Sequence, residues 1–155
     1  MASGKKIAGL VTKPLVRHAD ERGDFREILR HTDAGFTKFA QLSTSVVYEG
    51  IAKAWHLHHQ QTEWMGILLG VAKFAFADRR KNSPTFGLIE EYLVDSVANP
   101  LLFTVPAGIA HGYRIIQGPA VIAYITDQIY DPSDQLKIPH DDADIGYDWG
   151  PAPIR

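Results

Sequence analysis

Residues 50–70 read Gly50-Ile-Ala-Lys53-Ala-Trp-His56-Leu-His58-His-Gln-Gln-Thr-Glu63-Trp-Met-Gly-Ile-Leu-Leu-Gly70. Alternate residues of a β-strand point to one face, so His56 and His58 share a face while Leu57 takes the other. The polar run His59 to Thr62 has the composition of a turn, and the strand returning from it carries Glu63 back beside the two imidazoles as a hairpin. Further along, Val105-Pro-Ala-Gly108-Ile-Ala-His111 places another imidazole in a second apolar strand frame. His56, His58, Glu63 and His111 around one open position make a plausible donor set for a first-row divalent metal such as Zn, Mn, Fe or Ni.

The surroundings of these residues bound the class of protein. A chain of 155 residues has room for one domain with a substantial core, and residues 1–155 read as that one domain. Its hydrophobic share of 45% and charged share of 22% are those of an ordinary globular chain. A formal net charge of −2 with scattered Lys and Arg gives no nucleic-acid footprint. No apolar run approaches the roughly 20 residues that a membrane helix needs. Nothing near Met1-Ala-Ser-Gly4 has the apolar core of a secretion signal, so a cytoplasmic location is expected. Cysteine is absent, which removes disulfides, thiolate metal sites and cysteine nucleophiles together.

Strand-sized β-branched and aromatic segments recur at 9–12, 25–30, 37–45, 52–57, 64–77, 89–94, 101–105, 112–116 and 120–125. Turn chemistry separates them at 19–24, 79–84 and Gln117-Gly-Pro119. Residues 88–97 offer the best helical pattern and carry too few apolar repeats to hold it. The expectation is an all-β jelly roll or closed sandwich. Residues 131–155, rich in Asp and Pro, read as an irregular tail over the barrel.

The His-x-His, Glu and Pro-x-Gly-x-x-His pattern resembles the paired motifs of the cupin superfamily, which implies a jelly-roll barrel. A narrower resemblance covers most of the chain. Asp20-Glu-Arg22-Gly-Asp-Phe25-Arg-Glu27, Gly50-Ile-Ala-Lys53-Ala-Trp-His56, Arg80-Lys-Asn-Ser-Pro-Thr-Phe-Gly87, Pro106-Ala-Gly-Ile-Ala-His111-Gly-Tyr113 and Asp141-Asp142 with Ile145-Gly-Tyr-Asp-Trp149 are similar, in order, to the signatures of the dTDP-4-dehydrorhamnose 3,5-epimerase family. Membership implies an isomerase that inverts carbons beside the ketone of a nucleotide-linked 4-keto-6-deoxysugar. It implies His56 as the base and Tyr124 as the acid, with no cofactor. An imidazole of ordinary pKa near 6.5 suits a base at neutral pH, and a phenol near 10 suits a donor. The resemblance places Arg22 and Lys53 at the diphosphate, Phe25, Glu27 and Tyr130 toward the nucleotide base, and His111 near the sugar carbonyl. It also implies a homodimer.

Three departures from the family pattern shape the alternatives. Lys53 stands where the family has arginine, so a bidentate contact becomes a point charge. Glu63 stands where the family has a lysine, reversing the charge beside the developing enolate. The family's base is paired with an aspartate from a segment beyond Trp149, so a short variant lacking that segment is expected, with Asp141, Asp142 or Asp148 as the available substitutes. Strand parity adds a condition: Lys53 and His56 share a face only if a bulge near Ala54 reorients one of them. The second reading is therefore a metal-dependent cupin holding a small carbonyl or carboxylate ligand through His56, His58, Glu63 and His111. A sugar 3,4-ketoisomerase and a sugar-binding module without turnover complete the set.

Overall fold

A computed structural model describes residues 5–151 and Pro153. The leader reading at Met1 to Gly4 and the last positions of the tail, Ala152, Ile154 and Arg155, lie outside the described residues. The described chain is all-β, with strands β1 (Val11–Pro14), β2 (His18–Asp20), β3 (Gly23–Phe25), β4 (Gln41–Val47), β5 (Ala52–His58), β6 (Glu63–Asp78), β7 (Ile89–Asp95), β8 (Leu101–Val105), β9 (Ile109–Thr126) and β10 (Gln135–Lys137).

Two long strands organise everything else. β6 and β9 pair antiparallel from Glu63↔Thr126 to Asp78↔Ile109, and their register slips around Ile67 to Ala72. The slip bends both strands, so each half joins a different layer. In one layer the order is β7, the second half of β6, the first half of β9, β5 and β10; in the other it is β1, β8, the first half of β6, the second half of β9 and β4. Gly70 sits at the bend with φ of 95°, and a Cβ there would meet the Gln117 carbonyl at 2.7 Å. Only glycine accommodates both the φ and the approach.

The turn expected at Gln117-Gly-Pro119 is instead the bulge of the continuous strand β9, because Gly118 to Ala120 fall between the pairs Val71↔Gln117 and Leu69↔Val121. Residues 56–63 also differ from the expected hairpin. β5 pairs with β9 and β10, and β6 with β7, β8 and β9, so residues 59–62 carry the chain from one layer to the other. Residues 88–97, the best helical pattern, form β7 against β6. The expected strand 25–30 stops at Phe25, which closes the separate β2–β3 hairpin.

Met65, Ile67, Phe74, Phe76, Phe103, Ile115 and Ile122 fill the space between the layers. Part of each outer face is covered as well. Trp64, Leu102 and Ile125 lie beneath Ile28, Leu29 and Phe36, while Trp55, Ala75 and Ala110 lie beneath Ile145 and Trp149. Such two-sided burial blurs the apolar-polar alternation that a half-exposed sheet displays. The C-terminal tail is thus less irregular than its composition suggests: β10 extends the sheet through Lys137↔His56, and the residues after it cover that layer with Tyr147 edge-on and Trp149 tilted against Trp55. No helix among the described residues is long and apolar enough to cross a membrane.

Candidate active site

A cavity of about 260 Å³ opens between the layers, and strand parity determines what enters it. β4 turns Gln41, Ser43 and Ser45 inward while Leu42, Thr44 and Val46 face out. On β5 the register shifts between Lys53↔Tyr113 and His56↔His111, spending three residues against two on the partner strand. That is the bulge the sequence requires near Ala54, and it brings Lys53, His56 and His58 to one cavity wall. Gly112 permits the close strand approach there, since a Cβ would meet the Lys53 carbonyl at 2.7 Å. β6 contributes Glu63 and Met65, β9 contributes His111, Tyr113, Tyr124 and Thr126, and Tyr130 stands exposed at the mouth.

Glu63 is 5% exposed and lies between two imidazoles, with Oε2 3.6 Å from His58 Nε2 and Oε1 3.5 Å from His111 Nε2. Burial opposes its ionisation, but the two histidines outweigh burial and hold the carboxyl well below the usual carboxylate range. For His111 burial opposes charging, and Glu63 overcomes it to leave the imidazole above its ordinary pKa. Each histidine is backed by an oxygen on its far side. His111 Nδ1 lies 3.0 Å from the Ile109 carbonyl, and His58 Nδ1 lies 3.7 Å from the Asp134 carboxylate. Asp134 is itself fixed by the backbone N–H groups of Gln60 and Gln61 at 2.8 and 3.2 Å. Glu63 Oε1 has no hydrogen-bond partner although it is buried.

His58, Glu63 and His111 thus offer ligand atoms that all lie within 4.8 Å of one another. The expected donor set of four becomes this set of three. His56 is outside it, with its ring 6.4 Å from that of His111 and its Nδ1 turned to the Gln135 side-chain amide. Burial first, then the positive neighbours His111 and Lys137, push the His56 imidazole down to about 4. Its partner is therefore an amide from β10. Of the three carboxylates considered from sequence, Asp142 and Asp148 instead accept from the backbone N–H groups of Ile145 and Gly150.

Tyr124 is half-buried, and its hydroxyl lies 2.5 Å from that of Tyr113. Burial raises both phenols above the ordinary tyrosine value. The remaining expected residues stand elsewhere. Arg22 and Phe25 are exposed on the β2–β3 hairpin, where Arg22 pairs with Asp20, and Glu27 pairs with Arg30 just beyond it. Gln135 and Tyr113 escaped the sequence reading. Gln135 carried no motif, whereas Tyr113 was already visible at the end of the Pro106-to-His111 signature and by parity faces the same way as His111.

The family model described as dTDP-4-dehydrorhamnose 3,5-epimerase matches residues 4–155. The spore coat polysaccharide biosynthesis protein SpsL of Bacillus subtilis is 37% identical over 146 residues, covering 92% of this chain and 96% of that protein. The dTDP-4-dehydrorhamnose 3,5-epimerase of Methanothermobacter thermautotrophicus is 30% identical over 146 residues, covering 90% and 78%. Among solved structures, the dTDP-6-deoxy-D-glucose-3,5-epimerase of Legionella pneumophila, in complex with dTDP-4-keto-L-rhamnose, superposes with a TM-score of 0.87 at 27% identity, covering 97% of this chain and 85% of that one.

Proposed function

The chain belongs to the dTDP-4-dehydrorhamnose 3,5-epimerase family, and from that membership we propose that it is an isomerase of a nucleotide-linked 4-keto-6-deoxysugar, with His56 as base and Tyr124 as acid. One observation carries this reading: His56 on β5 and Tyr124 on the second half of β9 face a single cavity from opposite layers. Inversion beside a ketone needs that division. A neutral imidazole removes the C–H proton, the electron pair enters the enolate, and a phenol on the far side returns a proton to the same carbon. The depressed His56 pKa keeps the imidazole neutral at physiological pH. Lys53 supplies an ammonium within the cavity for the diphosphate, and Tyr130 at its mouth supplies a ring for the nucleotide base. His111 shapes the floor beneath the sugar carbonyl. This chemistry uses no cofactor, and its soluble substrate suits a cytoplasmic enzyme.

The enzyme works as a homodimer in this reading. Arg22, Phe25 and Glu27 are remote from their own cavity and exposed on or beside the β2–β3 hairpin, so they serve the partner subunit's nucleotide.

The test is solvent exchange. In deuterated water the protein should introduce deuterium beside the ketone of a dTDP-linked 4-keto-6-deoxyhexose. His56→Ala should abolish that incorporation, whereas Tyr124→Phe should retain exchange at one face and lose inversion. Full turnover by His56→Ala sinks the assignment.

A second reading is favoured by the orphaned Glu63 Oε1 between two backed imidazoles. His58, Glu63 and His111 fit a divalent cation, because their ligand atoms all lie within 4.8 Å of one another, with the Glu63 oxygens 3.5 to 3.6 Å from the two imidazoles, and ions of this kind bind such donors at about 2.0–2.2 Å. When bound, such an ion would polarise the sugar carbonyl, in place of the lysine that resembling enzymes carry at position 63. Metal analysis of protein purified without added metal or chelator separates the readings. Near-stoichiometric metal lost in Glu63→Gln supports the second, and metal-free protein with full activity removes it.

A further inference from the structure

Tyr113 is 3% exposed and packs its ring against Phe74, with centroids 5.8 Å apart. Its hydroxyl emerges from the core at one place, 2.5 Å from the Tyr124 hydroxyl. Ser45, on the inward face of β4, brings its own hydroxyl beside both phenols. Three strand segments therefore converge three hydroxyls on one point of the cavity wall. A buried phenol O–H needs an acceptor, and of the two phenols Tyr124 is the one less enclosed by the core.

Two hydroxyls in contact share one hydrogen bond, so only one of them donates to the other. If Tyr124 donated to Tyr113, its proton would point into the core and away from substrate. The opposite direction leaves the Tyr124 proton free to enter the cavity. Resting on the reading of Tyr124 as the acid, we infer that Tyr113 is a positioning residue whose hydroxyl donates to the Tyr124 oxygen, aims the Tyr124 proton at the substrate, and with Ser45 holds the phenolate that remains.

The step balances without a co-reactant. The Tyr124 O–H bond breaks as the enolate carbon gains a C–H bond, and the electron pair of the O–H bond stays on Tyr124 as phenolate. The two hydroxyl donors then stabilise that charge in place, as preorganised donors do for any developing oxyanion. A solvent proton afterwards restores the phenol. The Glu63 carboxylate faces both phenols and disfavours a negative charge on either, which gives the hydroxyl donors a charge to offset.

Exchange and inversion, measured separately on a dTDP-linked 4-keto-6-deoxyhexose, test the inference. Exchange reports the base alone, whereas inversion needs the acid. Tyr113→Phe should slow inversion roughly 10–100-fold, the worth of one hydrogen bond to a charged group, while solvent exchange and KM stay close to wild type. Ser45→Ala should move inversion the same way by a smaller factor, and serves if Tyr113→Phe fails to fold. The double variant Tyr113→Phe with Tyr124→Phe should keep the solvent exchange of Tyr124→Phe alone, because Tyr113 acts only through Tyr124. Wild-type inversion in a folded Tyr113→Phe, or in Ser45→Ala where Tyr113→Phe does not fold, overturns the role given to Tyr113, and so does a further loss of exchange in the double variant. Unchanged inversion in Tyr124→Phe overturns the acid assignment instead, and this inference falls with it.

Discussion

Gln135 holds the Nδ1 of His56 where a carboxylate would make a more basic imidazole. An amide fixes the ring and gives no charge to stabilise the imidazolium that would form in the base role proposed for His56. With burial and the positive neighbours acting on it, His56 rests at about 4. The consequence for pH follows from the sign of that shift. A base must be unprotonated to act, so the acid limb of kcat/KM should fall near pH 4 rather than near the 6.5 of a free imidazole. Gln135→Glu places an anion beside the ring, which favours the protonated form and should move that limb up by about 1–3 pH units. Gln135→Leu should leave the ring unfixed and lower kcat with little change in KM. A wild-type limb near 6.5 that neither substitution moves would refute the role of Gln135.

At the scale of the element, the end of β6 is pinned by a buried carboxylate. Asp78 is fully buried and accepts from Arg80, Ser83 and Thr85 at 2.6–2.8 Å. Thr85 in turn accepts from the Ala8 backbone N–H, which ties the loop after β6 to the N-terminal segment. Burial opposes the charge on Asp78, but Arg80 and the two hydroxyls outweigh it and hold the carboxyl far below the usual range. A depressed carboxylate contributes stability that is complete above its unfolded value and lost as pH falls below it. Asp78→Asn should therefore cost about 3–5 kcal/mol, the figure for a buried pair broken on one side, and the gap to wild type in urea unfolding should narrow as pH falls below about 4. A variant within 1 kcal/mol of wild type at pH 7 would contradict this. The loop was legible as a turn in the sequence because Asn82, Ser83 and Pro84 declare one, and the His56/His58 wall was legible because strand parity is local. Pairing is not local. Nothing near Gly118 and Pro119 distinguishes a bulge within β9 from a turn between two strands, since only the slip against β6, about 50 residues away, decides it. Gln135 was invisible for the same reason: it reaches the site through the pairing of β10 with β5, across a segment whose composition reads as coil.

Across the molecule as a whole, two seven-residue strands among the described residues, β4 and β7, each keep one unpaired edge, and β4 carries the one that bears on assembly. Among the described residues β4 pairs with β9 alone, so its other edge carries unpaired backbone groups, and its outward residues Leu42 and Val46 are 59% and 67% exposed with Tyr48 just beyond at 74%. An edge of this length with apolar side chains invites another strand, and natural proteins cover or pair such edges. In the proposed dimer a second copy of the chain covers that edge and also accounts for the β2–β3 hairpin, which carries Arg22 and Phe25 exposed and outside their own cavity. An isologous pair presents each hairpin to the other subunit by symmetry. Sedimentation at micromolar concentration should therefore give twice the chain mass, and Leu42→Glu with Val46→Glu should return it to the monomer. Arg22→Glu should weaken dTDP binding by about 1.5–3 kcal/mol in the dimer, the worth of one charge-assisted hydrogen bond. In the Leu42/Val46 variant the same substitution should change nothing, because the partner's cavity is gone. Monomer alone in the wild type would sink the dimer, whereas a dimer indifferent to Arg22→Glu would keep the interface and remove the hairpin from the nucleotide site.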